Sequence, residues 1–131
     1  FPYTTRFRSR TVRPFLVVGN AGNAYGRKLV KKFSYDRRIC FTGALFDEKI
    51  THSLRRYTKL YFHGHSSGGT NPSLLEAMAA GCLIAAHDNL FNRSVLEEDA
   101  LYFSTGSDIQ YLIEEFEPGP SEEKMIYRNM E

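Results

Sequence analysis

Short apolar runs alternate with amphipathic stretches along this chain. RPFLVVG (13–19) is an apolar run closed by Gly19, and a polar Gly/Asn segment and the helical stretch NAYGRKLVKKF (23–33) follow it. RICFTG (38–43) reads as a second strand. DEKITHSLRRYT (47–58) opens with an acidic turn suited to a helix N-terminus and sets Ile50, Leu54 and Tyr57 on one face. The strand KLYFHG (59–64), the helix PSLLEAMAA (72–80) and the strand CLIAAH (82–87) come next. A short helix around NRSVLEE, a short strand ALYF, the helix DIQYLIEEF and, past EPGP, a final helix SEEKMIYRNM complete the pattern. The strands are short and apolar on both faces, and helices of about ten residues separate them, which predicts βα units around a parallel sheet. The expected fold is α/β, a Rossmann-like doubly wound parallel sheet. KLYFHG and CLIAAH should be adjacent central strands, with Leu74, Leu75 and Met78 packed against them.

Residues 1–13 show no clear periodicity, and the first convincing element is a strand already inside the alternation. The expected organisation is an irregular segment 1–13 and one domain over 14–131, cut from a larger protein. At 131 residues the chain is long enough to bury a core without staples. Its 42% hydrophobic and 24% charged residues exclude a disordered or collagenous chain.

A net charge of +2 gives no argument for nucleic acid as a partner, and Arg6, Arg8, Arg10 and Arg13 read as a solvated terminus. No apolar run approaches the roughly 18 residues of a membrane span and no signal peptide is visible, so a cytoplasmic location is expected. Cys40 and Cys82 each sit in a strand-like apolar run and should be reduced and buried.

HSSGGTNPSLLEAMAAG (65–81) departs from ordinary surface or core. In parallel α/β sheets ligands sit at the carboxyl ends of strands, where loops lead into helix N-termini, and this loop follows such a strand. Asn71 is a preferred cap and Pro72 a preferred first helical residue. Gly68 and Gly69 allow close approach of a ligand, and the first-turn amides with the helix dipole suit an anion such as phosphate. Glu76, one turn further in, offers a carboxylate to vicinal hydroxyls of a sugar. Phosphate donors and a hydroxyl acceptor one turn apart suit a nucleotide. The plain reading is a glycine turn followed by a solvated glutamate.

The run GGTNPSLLEAMAAGCLIAAHDNLFNRSVLEEDALYF resembles the C-terminal domain of GT-B glycosyltransferases of the family 4 type, and HGHSSGGTNPSLLEAMAAG is especially similar to a bacterial rhamnosyltransferase-like subgroup. The resemblance spans about Phe15 to Phe116. It implies the donor-binding half of a retaining glycosyltransferase that moves a hexose or deoxyhexose from a nucleotide-diphosphate sugar to a glycan acceptor in polysaccharide assembly. An N-terminal acceptor domain of the same protein would be the partner, and any peripheral membrane association would belong to that part.

By this resemblance Glu76 matches the second glutamate of an E-x7-E motif and would hold the ribose hydroxyls. Gly68 stands where the first glutamate is expected, which leaves its contact with the donor sugar to another group. His65 becomes a candidate donor to a sugar hydroxyl or phosphate oxygen. Thr70, Asn71, Ser73 and Leu74 match the segment cradling phosphate and sugar, and Gly19, Asn20, Thr42 and Gly43 match loops bordering the base. The family's phosphate-binding Arg and Lys, expected before Phe15, have no counterpart in FPYTTRFRSRTVR.

The resemblance implies no cofactor and no metal. A metal site from His63 and His65, completed by His87 and Asp88, is the competing reading of these side chains. A non-catalytic nucleotide-binding module and an unrelated α/β enzyme also compete, although no G-x-G-x-x-G follows the first strand. The surface around His63, His65 and the loop is expected to face solvent. The isolated chain should transfer no sugar and bind nucleotide with a dissociation constant nearer to about 1 mM than 1 μM. No catalytic residue is assigned.

Overall fold

A computed structural model describes residues 10–67 and 71–131. Gly68, Gly69 and Thr70, three of the expected ligand-loop residues, lie outside the described residues, as do Arg6 and Arg8. The described chain is α/β, with parallel sheets flanked by helices in the Rossmann-like manner. It divides into two compact units, Phe1–Glu48 and Lys49–Glu131.

In the first unit, β1 (Phe15–Val18) and β2 (Ile39–Gly43) pair in parallel across α1 (Ala24–Phe33). Asn23 caps α1 by accepting a hydrogen bond from the Gly26 amide at 2.7 Å. Gly26 is buried because the helix crosses the preceding chain closely: a Cβ there would lie 2.5 Å from the carbonyl oxygen of Ala21. Arg38 fastens the start of β2 by pairing with Asp36 at 2.7 Å and donating to the Thr11 carbonyl at 2.9 Å. That guanidinium holds the Asp36 carboxyl below its ordinary range.

The second unit carries β3 (Tyr61–His63), β4 (Ile84–His87) and β5 (Leu101–Phe103), parallel and in that order. The helix α2 (Glu48–Tyr57) precedes β3. Between and after the strands come α3 (Pro72–Ala79), α4 (Leu90–Leu96), α5 (Gly106–Glu114) and α6 (Pro120–Met130). Tyr61 lies opposite Ile84 and His63 opposite Ala86, so the two strands expected to be neighbours are neighbours, but only β4 is central: β3, expected to be central too, is an edge strand of this sheet.

Alternation along β4 splits the core. Ile84 and Ala86 join Leu74, Ala77 and Cys82 with Leu96 from α4, whereas Ala85 joins Phe103 and Leu112 from α5. Helices therefore cover both faces of this sheet. Leu74 is 1% exposed, a burial worth about 2 kcal/mol, and Met78 packs on the same cluster. Leu75, expected in that contact, is 49% exposed, because 100° of helical turn carries it past the sheet-facing stripe.

The helix expected over residues 108–116 starts earlier, at Gly106, since Thr105 and Asp108 form a reciprocal capping box. Backbone donors from Ser104 and Thr105 lower the Asp108 carboxyl. Helix α6 packs on α3, fixed by Arg128 on the Asp99 carboxylate at 2.5 Å and Asn129 on its carbonyl at 2.7 Å.

Both cysteines are free. Cys82 is buried as expected, but Cys40 is only half-buried, since β2 belongs to a two-stranded sheet with one flanking helix and is nowhere fully covered.

Candidate functional site

Three rings line the exit from β3. Alternation along the strand puts Tyr61 and His63 on one side, with centroids 6.5 Å apart, and the chain continues extended so that His65 stacks on His63 at 4.7 Å and 20°. His65 is exposed, as expected. His63 is not: only 2% of it meets solvent, because β4 and the rings before and after it cover its face. Burial, and then the neighbouring His65, push the His63 imidazole down to about 4. At neutral pH His63 is an uncharged hydrogen-bonding group and supplies no cation to a phosphate.

The main chain at His65 is held from α4. Asn89 caps that helix by accepting from the Asn92 amide at 2.9 Å. The Asn92 side chain is 5% exposed, and its Nδ2 donates to the His87 carbonyl at 2.8 Å and the His65 carbonyl at 3.1 Å. Asn89 Nδ2 donates to the same His65 carbonyl at 3.0 Å and lies 3.1 Å from His87 Nδ1. Two carboxamides thus tie the β3 exit to the β4 exit. Neither asparagine stood out in the sequence; the signal was the D-N-x-x-N spacing directly after an apolar strand.

Asp88 is committed elsewhere. Arg93 grips both of its oxygens, at 2.5 and 2.9 Å, and lies over the Tyr102 ring at 4.1 Å, so the guanidinium lowers the Asp88 carboxyl. Of the four groups in the competing metal reading, His63 and His65 are brought together, whereas Asp88 is turned to Arg93. Among the described residues no three His, Cys, Asp or Glu side chains are placed to hold a metal ion.

At the start of α3, Asn71 Oδ1 accepts from the Ser73 amide at 2.9 Å and from its hydroxyl at 2.5 Å. The Leu74 amide donates to the Asn71 carbonyl at 3.0 Å. The two first-turn amides expected to be free for phosphate are therefore engaged by the cap, and an anion must compete with Asn71 for them. Glu76 projects from α3 with its side chain 58% exposed, and Arg55 of α2 reaches its Oε2 at 2.7 Å. Arg55 also escaped sequence reading, because nothing in DEKITHSLRRYT marks which of two adjacent arginines turns toward α3.

The expected base-bordering residues belong to the other compact unit. There the Gly19 amide donates to the Gly43 carbonyl at 2.9 Å, which joins the carboxyl ends of β1 and β2. The Thr42 hydroxyl donates to the Gly43 carbonyl at 2.9 Å, and Asn20 Oδ1 accepts from the Gly22 amide at 2.8 Å. The structure thus groups Gly19, Asn20, Thr42 and Gly43 at one strand-end locus, and His65, Asn71, Ser73, Leu74 and Glu76 in the unit carrying β3 and α3.

Compared with known proteins, the chain matches no protein-family model and no curated protein. No helix among the described residues is long and apolar enough to cross a membrane.

Proposed function

We propose that this chain is the donor-binding domain of a retaining glycosyltransferase that uses a nucleotide-diphosphate sugar in cytoplasmic assembly of a polysaccharide or cell-surface glycan, a hexosyl or rhamnosyl transfer. The observation that carries the reading is the position of Glu76: an exposed carboxylate one turn inside the helix that follows the carboxyl end of the parallel strand β3. That is where α/β sheets receive nucleotides. The helix dipole favours a diphosphate at this helix start, where it would compete with the Asn71 cap for the Ser73 amide. Glu76 accepts from the ribose hydroxyls, and the exposed His65 donates to a phosphate or sugar oxygen. In such a transfer the protein chiefly orients donor and acceptor and stabilises the departing diphosphate.

Titration of the chain with UDP, GDP and dTDP while following backbone amide shifts tests the proposal. Saturable shifts at His65, Asn71 and Glu76 for at least one nucleotide are expected. Shifts confined to the surface lysines of α1, or none with any of the three, would overturn it.

A further inference from the structure

We infer that the solvent face of α1 is a docking surface for an anionic lipid bilayer, an inference independent of the nucleotide-binding reading. The small net charge of the chain is the difference of two unlike halves. Phe1–Glu48 carries ten Lys and Arg against three Asp and Glu, whereas Lys49–Glu131 carries seven against twelve, so the first is +7 and the second −5. No acidic residue occurs before Asp36, and Arg38 takes up that carboxylate at 2.7 Å.

At about 100° per residue, Tyr25, Arg27, Lys28, Lys31 and Lys32 fall on one arc of about 160° around α1, and all five are exposed. Gly26, Leu29, Val30 and Phe33 fill the opposite arc and are buried or partly buried. Arg27 donates to the Gly22 carbonyl and Lys32 Nζ lies 5.3 Å from the Phe33 ring centroid, but among the described residues none of the four cations meets a carboxylate. The exposed rings of Tyr25 and Tyr35 flank the cations, and such amphipathic rings settle at headgroup depth. The face offers three lysines to one arginine, with no Asn or Gln. Compact ammonium groups suit a fluid layer of phosphates, whereas reading a nucleic acid draws on bidentate Arg, Asn and Gln. The apolar arc of α1 faces inward, which leaves it nothing to insert into hydrocarbon. Binding is therefore adsorption through charge, strengthened about fivefold by each cation near the anionic surface and weakened by salt.

The test is cosedimentation of the full chain with phosphatidylcholine vesicles, with and without phosphatidylglycerol, at low and high salt. The native chain should bind only the vesicles that contain phosphatidylglycerol, and salt should release it. Lys28→Gln should weaken binding about fivefold, and the triple variant Lys28→Gln/Lys31→Gln/Lys32→Gln roughly 100-fold. The variant Lys49→Gln/Lys59→Gln/Lys124→Gln, which removes the same charge from the other unit, should bind as the native chain does. Circular dichroism checks that each variant is folded, and the single variant decides if the triple one is not. Failure to bind either kind of vesicle, equal binding to both, or native-like binding by the folded α1 variants would overturn the inference. Tighter binding of a random-sequence oligonucleotide at the same salt, lost in the same α1 variants, would overturn it too and assign the face to nucleic acid. None of these results alters the role given to Glu76, whose replacement by alanine should leave vesicle binding unchanged.

Discussion

The buried carboxamide of Asn92 meets the carbonyl of His65 at 3.1 Å, across 27 residues of chain, and so fixes the loop leaving β3 to the first turn of α4. Its other hydrogen goes to His87 at 2.8 Å. Together with Asn89, this side chain holds the β3 and β4 exits to each other.

Asn92→Ala should cost about 1 to 3 kcal/mol, because buried carbonyls lose their donor. Asn92→Asp, the same size but without hydrogens to give, should cost at least as much, since it sets a carboxylate against two carbonyl oxygens. Urea unfolding followed by circular dichroism measures both. An unchanged midpoint in both variants would show that the two bonds contribute nothing net.

Acid sensitivity should trace to His63. Its imidazole is held at about 4 in the folded protein against 6.5 in the unfolded chain, so between those values the unfolded state binds the additional proton. Stability then falls as pH drops from about 6.5 to about 4, by at most about 3 kcal/mol, and this group contributes no slope above that window. His63→Phe should flatten the slope within the window. An equal slope in both proteins would assign it to other groups.

Where the sequence was legible, a local pattern and a tertiary demand coincided. The order of β3, α3 and β4 followed from apolar runs bounded by Asn71-Pro72 and Gly81, and the parallel register of Tyr61 with Ile84 fits strands apolar on both faces. What escaped reading depends on which side chain turns toward which neighbour. The burial of His63 follows from stacking by two residues of its own strand exit, and the engagement of the Ser73 amide from the Asn71 rotamer. Arg55 and Glu76 are 21 residues apart, so their pairing exists only once α2 and α3 are folded.

Gly81→Ala should destabilise the second unit by about 1 to 2 kcal/mol. Gly81 adopts φ +69°, where a Cβ is disfavoured, and that Cβ would fall 2.8 Å from both Arg56 Nη1 and Met130 Sδ. Both of those atoms belong to flexible side chains, so Met130→Ala combined with Gly81→Ala should recover part of the loss. No recovery in the double variant would place the whole cost in the backbone.

The two thiols should differ in reactivity. Burial pushes the Cys82 thiol up to about 11, and its sulfur sits 3.2 Å from the Ala77 carbonyl, whereas Cys40 is half-buried. With a thiol reagent at neutral pH the native protein should lose Cys40 first, and two thiols should be counted after denaturation without reductant. Faster modification of Cys82, or fewer than two thiols, would contradict this.

The most direct measurement is the affinity of Glu76→Ala for the nucleoside diphosphate that the native chain binds best, beside its thermal melt. Glu76 is exposed and paired with one arginine, so its removal should change stability by no more than about 1 kcal/mol. If the carboxylate holds the ribose hydroxyls, the variant loses charge-assisted bonds worth about 1.5 to 3 kcal/mol, and affinity should fall roughly 10- to 100-fold. A folded Glu76→Ala protein with undiminished nucleotide affinity would contradict the donor-binding role and return Glu76 to the ordinary surface of α3.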